Sequence, residues 1–159
     1  MRPLTISLWF DGNAEAAVAF YSTVFVDLAI TNTLRFTEAG PGPEGSILLI
    51  AFTLRDQQFI AINGGPEFSF SGAISFVIDC ADQDEVDLYW DALTADGGTE
   101  HPCGWLTDKF GITWQVTPSR LTELLSAGDA VSATRMTRAM YTMTKLDIAA
   151  LEAAYAGQG

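Results

Sequence analysis

Residues 103–118 read Cys-Gly-Trp-Leu-Thr-Asp-Lys-Phe-Gly-Ile-Thr-Trp-Gln-Val-Thr-Pro, a stretch that predicts two strands joined by a tight turn. The turn falls at 108–111, where Gly111 is free to adopt a positive φ angle. Pro118 ends the second strand because it has no N–H to donate to a sheet. The residues after the turn alternate between apolar and polar side chains, which is typical of a half-buried strand; they are Ile112, Thr113, Trp114, Gln115, Val116 and Thr117.

The composition is that of a globular protein. A chain of 159 residues is long enough for one domain or a compact pair of modules with a real core. The net charge of −12 argues against binding to nucleic acid or to an anionic membrane surface, because both need basic residues. No apolar run is long enough to span a membrane and no signal peptide is visible. We therefore expect a cytoplasmic protein, in which Cys80 and Cys103 are free thiols.

Strand-like and helix-like patterns alternate along the chain before the hairpin. Apolar residues recur at spacings of three and four over 14–25 and 83–95, which predicts two amphipathic helices. Asp11 or Asn13 is placed to cap the first helix, and Asp82 to cap the second. Runs rich in β-branched and aromatic residues predict strands around the helices, at 5–10, 28–36, 46–54, 58–63, 73–79 and 99–102.

The two halves of the chain repeat one pattern. Residues 7–11 correspond to 75–79, and at the same offset Val18 corresponds to Val86. Each half then continues through a helix into about three strands. We therefore predict an α+β fold made of paired βαβββ modules, whose curved sheets can lie side by side and enclose a cleft.

These modules give the predicted domain organisation. The first module covers 1–66 and the second 73–118, and together they form one domain, 1–118. A C-terminal helical tail follows at 119–159. Its methionines, Met136, Met140 and Met143, are spaced as one helical stripe. Such a stripe can be an adaptable ligand surface, but it is more often core or a subunit contact, which is the interpretation we favour.

Several segments together point to one known family; they are 8–15, 20–21, 61–66, 75–77, 87–90, 103–105 and 114–116. Through them the chain resembles the PhnB-like family, often described as 3-demethylubiquinone-9 3-methyltransferases, of the vicinal oxygen chelate (glyoxalase/bleomycin-resistance) superfamily. The resemblance covers nearly the whole chain, and residues 143–152 are similar to the family's ending. It implies the glyoxalase-like fold of paired βαβββ modules, and a homodimer.

The resemblance also indicates where a metal would bind. Metal-dependent members of the superfamily place His, Gln or Glu ligands on the first, fourth, fifth and eighth strands. Here those positions offer Ser7, Asn63, Ser75 and Gln115, of which only Gln115 is similar to a usual ligand. The sole histidine, His101, falls on a different strand. A divalent metal needs about three or four converging N or O ligands, so we expect no metal site.

A methyltransferase activity has little support in the residues. Enzymes that use S-adenosylmethionine typically carry a glycine-rich turn between a strand and a helix. The nearest match, Asn-Gly-Gly-Pro at 63–66, follows a strand but leads into a loop. We therefore expect no cofactor.

The first functional hypothesis is a module that binds a small apolar or aromatic molecule in an apolar cleft, without metal. Phe59 and Phe76 would add apolar surface to this cleft. The predicted cleft and ligand-binding residues are Ser7, Trp9, Asn63, Ser75, Trp105, Trp114 and Gln115.

The alternative hypothesis is a small-molecule enzyme of the same superfamily: a lyase, isomerase, dioxygenase or methyltransferase. Its candidate groups are Glu100 or Asp108 as a base and Cys103 as a nucleophile. A third possibility is a structural homodimer whose tail engages a partner.

Overall fold

The computed structural model describes residues 4–158 and divides into two compact units, one ending at Phe70 and the other beginning at Ser71. No helix in this part of the chain is both long enough and apolar enough to cross a membrane.

The first unit is a four-stranded sheet with one helix. Its sheet has the order β1-β4-β3-β2, in which β1 is parallel to β4 and the other neighbours are antiparallel. The helix packs against β3 and β4. The elements follow the predicted βαβββ order: β1 Thr5–Phe10, α1 Ala14–Val24, β2 Ala29–Arg35, β3 Ile47–Leu54 and β4 Gln57–Asn63.

Alternation along β1 separates its side chains onto two faces of the sheet. Leu8 and Phe10 are buried, and Leu8 lies beside the buried Ala61 of β4 on the face that carries α1. Ser7 and Trp9 lie on the opposite face. This division decides which of the predicted site residues can share a cavity.

The start of α1 differs from the prediction. Asn13 occupies the capping position but its side chain makes no capping hydrogen bond. Instead the Ala14 N–H donates to Oδ1 of Asn63, at the end of β4, over 2.9 Å. The Asn63 amide nitrogen donates in turn to the carbonyl of Ile47, over 3.0 Å. One amide from a distant strand therefore supplies the cap, because it reaches an N–H that the helix leaves without a partner.

Replacing Asn63 with alanine is expected to lower the free energy of unfolding by about 2 kcal/mol, because it removes both hydrogen bonds. Asn13→Ala is the matched control, since the Asn13 side chain makes no capping bond. Urea denaturation of the two variants measures the difference. An equal loss in both would show that the Asn63 bridge does not stabilise the start of α1.

The second unit repeats the βαβββ pattern. Its sheet has the order β5-β8-β7-β6, with β5 parallel to β8 and the other neighbours antiparallel. Asp82 caps the helix as predicted, accepting a hydrogen bond from the Glu85 N–H over 3.0 Å. The elements are β5 Phe76–Cys80, α2 Gln83–Thr94, β6 Thr99–Glu100, β7 Trp105–Thr107 and β8 Thr113–Pro118. The predicted α+β fold of two βαβββ modules is confirmed.

The hairpin between β7 and β8 is held by a buried carboxylate. Oδ1 of Asp108 accepts hydrogen bonds from the N–H groups of Phe110 (2.8 Å) and Ile112 (3.1 Å). Its Oδ2 accepts one from the indole N–H of Trp114 over 2.8 Å. Asp108 therefore fixes both the turn and the first tryptophan of the returning strand.

Three helices complete the second unit: α3 Ser119–Ser126, α4 Ala130–Met140 and α5 Ile148–Ala156. Met136 is fully buried among them, which confirms the core interpretation for this methionine, while Met140 and Met143 pack partly buried against the same cluster. The buried members of the cluster are Leu121, Leu124, Met136, Leu146 and Leu151.

The segment between α4 and α5 is bonded to the loop before β7 and to the start of α2. The N–H groups of Cys103 and Gly104 donate to the carbonyls of Met143 and Thr144, each over 2.8 Å. The side chain of Gln83, at the start of α2, accepts from the Ile148 N–H over 2.9 Å. The helical tail is thus part of the second unit and not a separate appendage.

An ion pair adds to this attachment. Nζ of Lys145 lies 2.9 Å from Oδ1 of Asp87 and 3.3 Å from Oδ1 of Asp91, both on α2. The hydrogen bond from Lys145, followed by one from Gln83, lowers the pKa of Asp87. The bond to Asp87 raises the pKa of Lys145. Stabilisation from Asp87 is therefore present above the usual carboxyl pKa and is lost as the pH falls through its lowered value.

Candidate functional site

A surface cavity of about 680 Å³ lies in the second unit, over the β7–β8 hairpin. We call it the hairpin cavity. Strands β7 and β8, the loop before β7 and the C-terminal end of α4 supply its walls. The described residues that line it are Gly72, His101, Pro102, Cys103, Trp105, Thr107, Thr113, Met140 and Tyr141.

The alternation of β7 explains which of its side chains reach the cavity. Leu106 is fully buried toward α2, so its neighbours Trp105 and Thr107 must lie on the other face of the sheet. In the antiparallel register Thr107 stands opposite Thr113 of β8. An indole and two threonine side chains therefore form the strand wall of the cavity.

The loop before β7 adds the imidazole ring of His101, which can form hydrogen bonds. Nε2 of His101 lies 2.9 Å from Oγ1 of Thr107. The main-chain N–H of His101 donates to the Trp105 carbonyl over 2.8 Å, which fixes the loop to the strand. The imidazole is thereby held at the cavity edge, where it can exchange hydrogen bonds with a polar group of a ligand.

Cys103 lies at the junction of loop and tail. Its backbone has a φ of +64° and its thiol lies 3.6 Å from the Met140 carbonyl. The other free thiol, Cys80, is buried. Of the three candidate groups for an enzyme, Cys103 is the only one among the described residues that borders the hairpin cavity.

The two candidate bases, Glu100 and Asp108, accept hydrogen bonds away from the hairpin cavity. The Asp108 carboxylate accepts three hydrogen bonds within the hairpin. Glu100 accepts one from the indole N–H of Trp90 over 3.0 Å. Neither carboxylate lines the cavity, so a general-base role for them has no geometric support here.

Among the predicted cleft residues of the second unit, Trp105 lines the hairpin cavity. Gln115 stands opposite Trp105 on the same face, and its amide donates to Oγ of Ser75 over 2.8 Å. This pair lies beside the cavity without lining it. Trp114 lies on the opposite face, 5% exposed, with its indole N–H bonded to Asp108. Trp114 and Gln115 therefore cannot line the same cleft.

The predicted residues of the first unit divide in the same way. Ser7 and Trp9 share the face away from α1, where the indole N–H of Trp9 donates to the Gly65 carbonyl over 2.9 Å. Asn63 lies on the helix face and borders a smaller cavity of about 390 Å³. Its side chain caps α1, which is a structural role.

Packing explains Gly64, the first of the two glycines after β4. A Cβ on Gly64 would lie 2.1 Å from the Trp9 ring, so only glycine allows the indole to rest against the backbone there. The edge of the Phe68 ring meets the same indole with 5.2 Å between centroids. The Asn-Gly-Gly-Pro run therefore seats Trp9.

The residues at the superfamily's metal positions do not fit a metal. Asn63 and Gln115 use their amides in hydrogen bonds to Ala14, Ile47 and Ser75. The remaining positions offer only the hydroxyls of Ser7 and Ser75, where carboxylate or imidazole is usual. Within residues 4–158 no group of three or more His, Cys, Asp or Glu side chains is placed to hold a metal ion.

Two wall residues come from a part of the chain outside the predicted cleft. Met140 is the last residue of α4 and Tyr141 follows it, far along the sequence from the hairpin. The methionine stripe carried a signal for Met140, since an adaptable ligand surface was one of its two interpretations. Thr107 and Thr113 were identifiable only from the alternation around Trp105, and no sequence pattern identified Pro102.

Comparison with known proteins identifies the family of this chain. The family described as 3-demethylubiquinone-9 3-methyltransferase matches residues 2–117. That range stops before 143–152, so the similarity noted there lies outside it. No curated protein matches the chain.

Solved structures agree with the family match. The PhnB protein of Bacillus cereus, which carries the same family description, shares 33% identity over 74% of this chain and 100% of its own, with a TM-score of 0.65. The Pseudomonas aeruginosa protein PA1353 shares 20% identity over 74% of this chain and 98% of its own, with a TM-score of 0.60. The chain therefore belongs to the PhnB-like 3-demethylubiquinone-9 3-methyltransferase family.

Proposed function

We propose that this protein binds a small apolar or aromatic molecule in the hairpin cavity, without a metal. The observation that supports the proposal is the combination of one indole, one thioether and one phenol ring around a cavity of about 680 Å³. Ligand pockets typically have this size, with apolar walls and a few polar groups that orient the ligand. Here His101, Thr107 and Thr113 are the polar groups.

The residues of the hairpin cavity favour ligand binding over catalysis. An enzyme of this superfamily acting in the cavity would have to use Cys103, because Glu100 and Asp108 accept hydrogen bonds away from it. A methyltransferase activity, as in the family's description, would further require a site for the methyl donor. The glycines at 64–65 do not lead into a helix whose N-terminus could bind it.

We extend the proposal to a cytoplasmic homodimer. Strand β2 is exposed along its whole length and ends the sheet of the first unit. Its Ile30 and Leu34 are 56% and 47% exposed. A second copy would cover such an edge and its apolar side chains. Free thiols at Cys80 and Cys103 suit a reducing compartment.

Fluorescence titration with N-phenyl-1-naphthylamine, a neutral aromatic probe, tests the proposed binding. The wild-type protein is expected to bind one probe per chain saturably. Trp105→Ala is expected to weaken binding about tenfold, since a tryptophan in a binding site commonly contributes more than about 1 kcal/mol. Trp105→Phe is expected to retain most of the affinity.

Phe68→Ala serves as the matched control, because Phe68 is an exposed aromatic residue of the first unit. It is expected to bind the probe like the wild type. Absence of saturable binding, or a Trp105→Ala affinity equal to that of the wild type, would overturn the proposal.

A further inference from the structure

The C-terminal tail contributes one wall of the hairpin cavity. Met140 and Tyr141 line the cavity from the end of α4, whereas the family match ends at residue 117. The strand wall thus comes from the part of the chain shared with the family, and the facing wall comes from residues beyond it. A ligand in this cavity would therefore contact Met140 and Tyr141, which lie outside the residues matched by the family.

This wall is held in a defined position. Directly after Tyr141, the carbonyls of Met143 and Thr144 accept hydrogen bonds from the N–H groups of Cys103 and Gly104. The Cys103 thiol also lies against the Met140 carbonyl. The loop that carries His101, Pro102 and Cys103 is therefore the same loop that anchors the tail, so the two walls are connected through two short backbone bonds.

The part of the cavity lining that the structure describes contains no carboxylate, ammonium or guanidinium group. None of the described lining residues is Asp, Glu, Lys or Arg. The chain as a whole carries a net charge of −12. A charged ligand would lose its hydration without gaining a partner of opposite charge, which is costly. An anion would in addition meet the overall negative field.

The side chains that line the cavity favour a flat ring. Indole and phenol rings offer broad faces that pack against aromatic ligands. The methionine thioether is polarisable and adapts its shape to a ring edge. Thr107, Thr113 and His101 then offer hydrogen bonds to hydroxyl or carbonyl groups at the rim of such a ligand.

We infer that the tail residues Met140 and Tyr141 determine the specificity of the hairpin cavity, and that its ligand is a neutral planar aromatic compound. This inference rests on the proposed function, since it concerns the same site. The strand wall with Trp105 supplies a general apolar surface, and the tail wall selects ligands whose rings pack against both.

Two matched probes test the ligand class. N-phenyl-1-naphthylamine and 8-anilinonaphthalene-1-sulfonate share one ring system and differ by a sulfonate. The neutral probe is expected to bind the wild-type protein at least about tenfold more tightly. The preference is expected to persist at about 1 M NaCl, where long-range repulsion is screened. Equal affinity for the two probes at that salt concentration would overturn the assignment of a neutral ligand.

Two pairs of variants test the tail wall with the neutral probe. Tyr141→Ala is compared with Val131→Ala, because both side chains are exposed on the tail (69% and 67%) but Val131 does not line the cavity. Met140→Ala is compared with Met143→Ala, because both methionines pack against the same cluster and only Met140 lines the cavity. Tyr141→Ala and Met140→Ala are each expected to weaken binding about fivefold, and the two controls to leave it unchanged.

The outcomes separate the two proposals. If Trp105→Ala loses affinity while Tyr141→Ala and Met140→Ala bind like the wild type, the tail has no role in specificity and the proposed function stands. If Met143→Ala weakens binding as much as Met140→Ala, the effect comes from tail packing and the inference fails for Met140. If the wild-type protein binds neither probe, the proposed function and the inference fall together.

Discussion

Replacing Asp108 with alanine is expected to lower the free energy of unfolding by about 4 kcal/mol. The Asp108 carboxylate is 3% exposed and accepts hydrogen bonds from two backbone N–H groups and from the Trp114 indole. Alanine would leave these three donors without their acceptor in and beside the core, and each lost partner of this kind costs about 1–3 kcal/mol. Urea denaturation followed by tryptophan fluorescence measures the change.

Two asparagine variants sharpen the Asp108 test. Asp108→Asn keeps an oxygen for the backbone donors but turns an NH₂ group toward the Trp114 indole N–H, so we expect about half the loss seen for alanine. Asp96→Asn is the control, because that carboxylate is exposed and pairs with Lys109 on the surface. The urea concentration at which this variant is half unfolded should stay near that of the wild type. A loss below about 1 kcal/mol for Asp108→Ala would contradict a structural role for the carboxylate.

The same hairpin shows what could be predicted from sequence. The turn at 108–111 is confirmed, with Gly111 at a φ of +91° and its N–H bonded to the Asp108 carbonyl over 2.9 Å. The turn residues and the two-residue alternation of apolar side chains determine a hairpin of this kind, so it can be predicted from a single sequence. The role of Asp108 was missed, because the bond to Trp114 exists only once the two strands have closed.

Alternation alone separates two of the residues predicted to share the cleft. Trp114 and Gln115 are neighbours in one strand, so their side chains must lie on opposite faces of the sheet. Composition favoured Trp9, Trp105 and Trp114 together as apolar cleft surface. The structure instead places Trp114 with the core and leaves Trp105 as the tryptophan of the hairpin cavity.

The remaining differences arise from contacts between distant parts of the chain. Asn13 has the local signature of a helix cap, but Asn63 makes the bond from the end of β4. Met140 reaches the cavity because the tail is bonded to Cys103 and Gly104, some forty residues earlier. No local pattern records a pairing over that distance, since propensity and periodicity describe only neighbouring residues.

Replacing Gly104 with alanine is expected to lower the free energy of unfolding by about 3 kcal/mol and to loosen the tail. Gly104 has a φ of +80°, which costs any other residue about 1–2 kcal/mol. A Cβ there would also lie 2.8 Å from the Val116 carbonyl oxygen and 3.0 Å from Cδ1 of Leu146. Overpacking of this kind typically adds about 1–3 kcal/mol. Urea denaturation measures the loss, and limited proteolysis near Thr144 measures the loosening.

Gly128→Ala separates the two contributions to the Gly104 effect. Gly128 has a φ of +85° in the same unit, but a Cβ there would have no other atom within 4 Å. We therefore expect only the backbone cost, about 1 kcal/mol, and no change in proteolysis of the tail. Because the Gly104 N–H bonds the Thr144 carbonyl, Gly104→Ala should also weaken binding of N-phenyl-1-naphthylamine, which Gly128→Ala should not. Equal stability losses in the two variants would show that the contact of Gly104 with Val116 and Leu146 adjusts freely, and that the tail wall does not depend on this close approach.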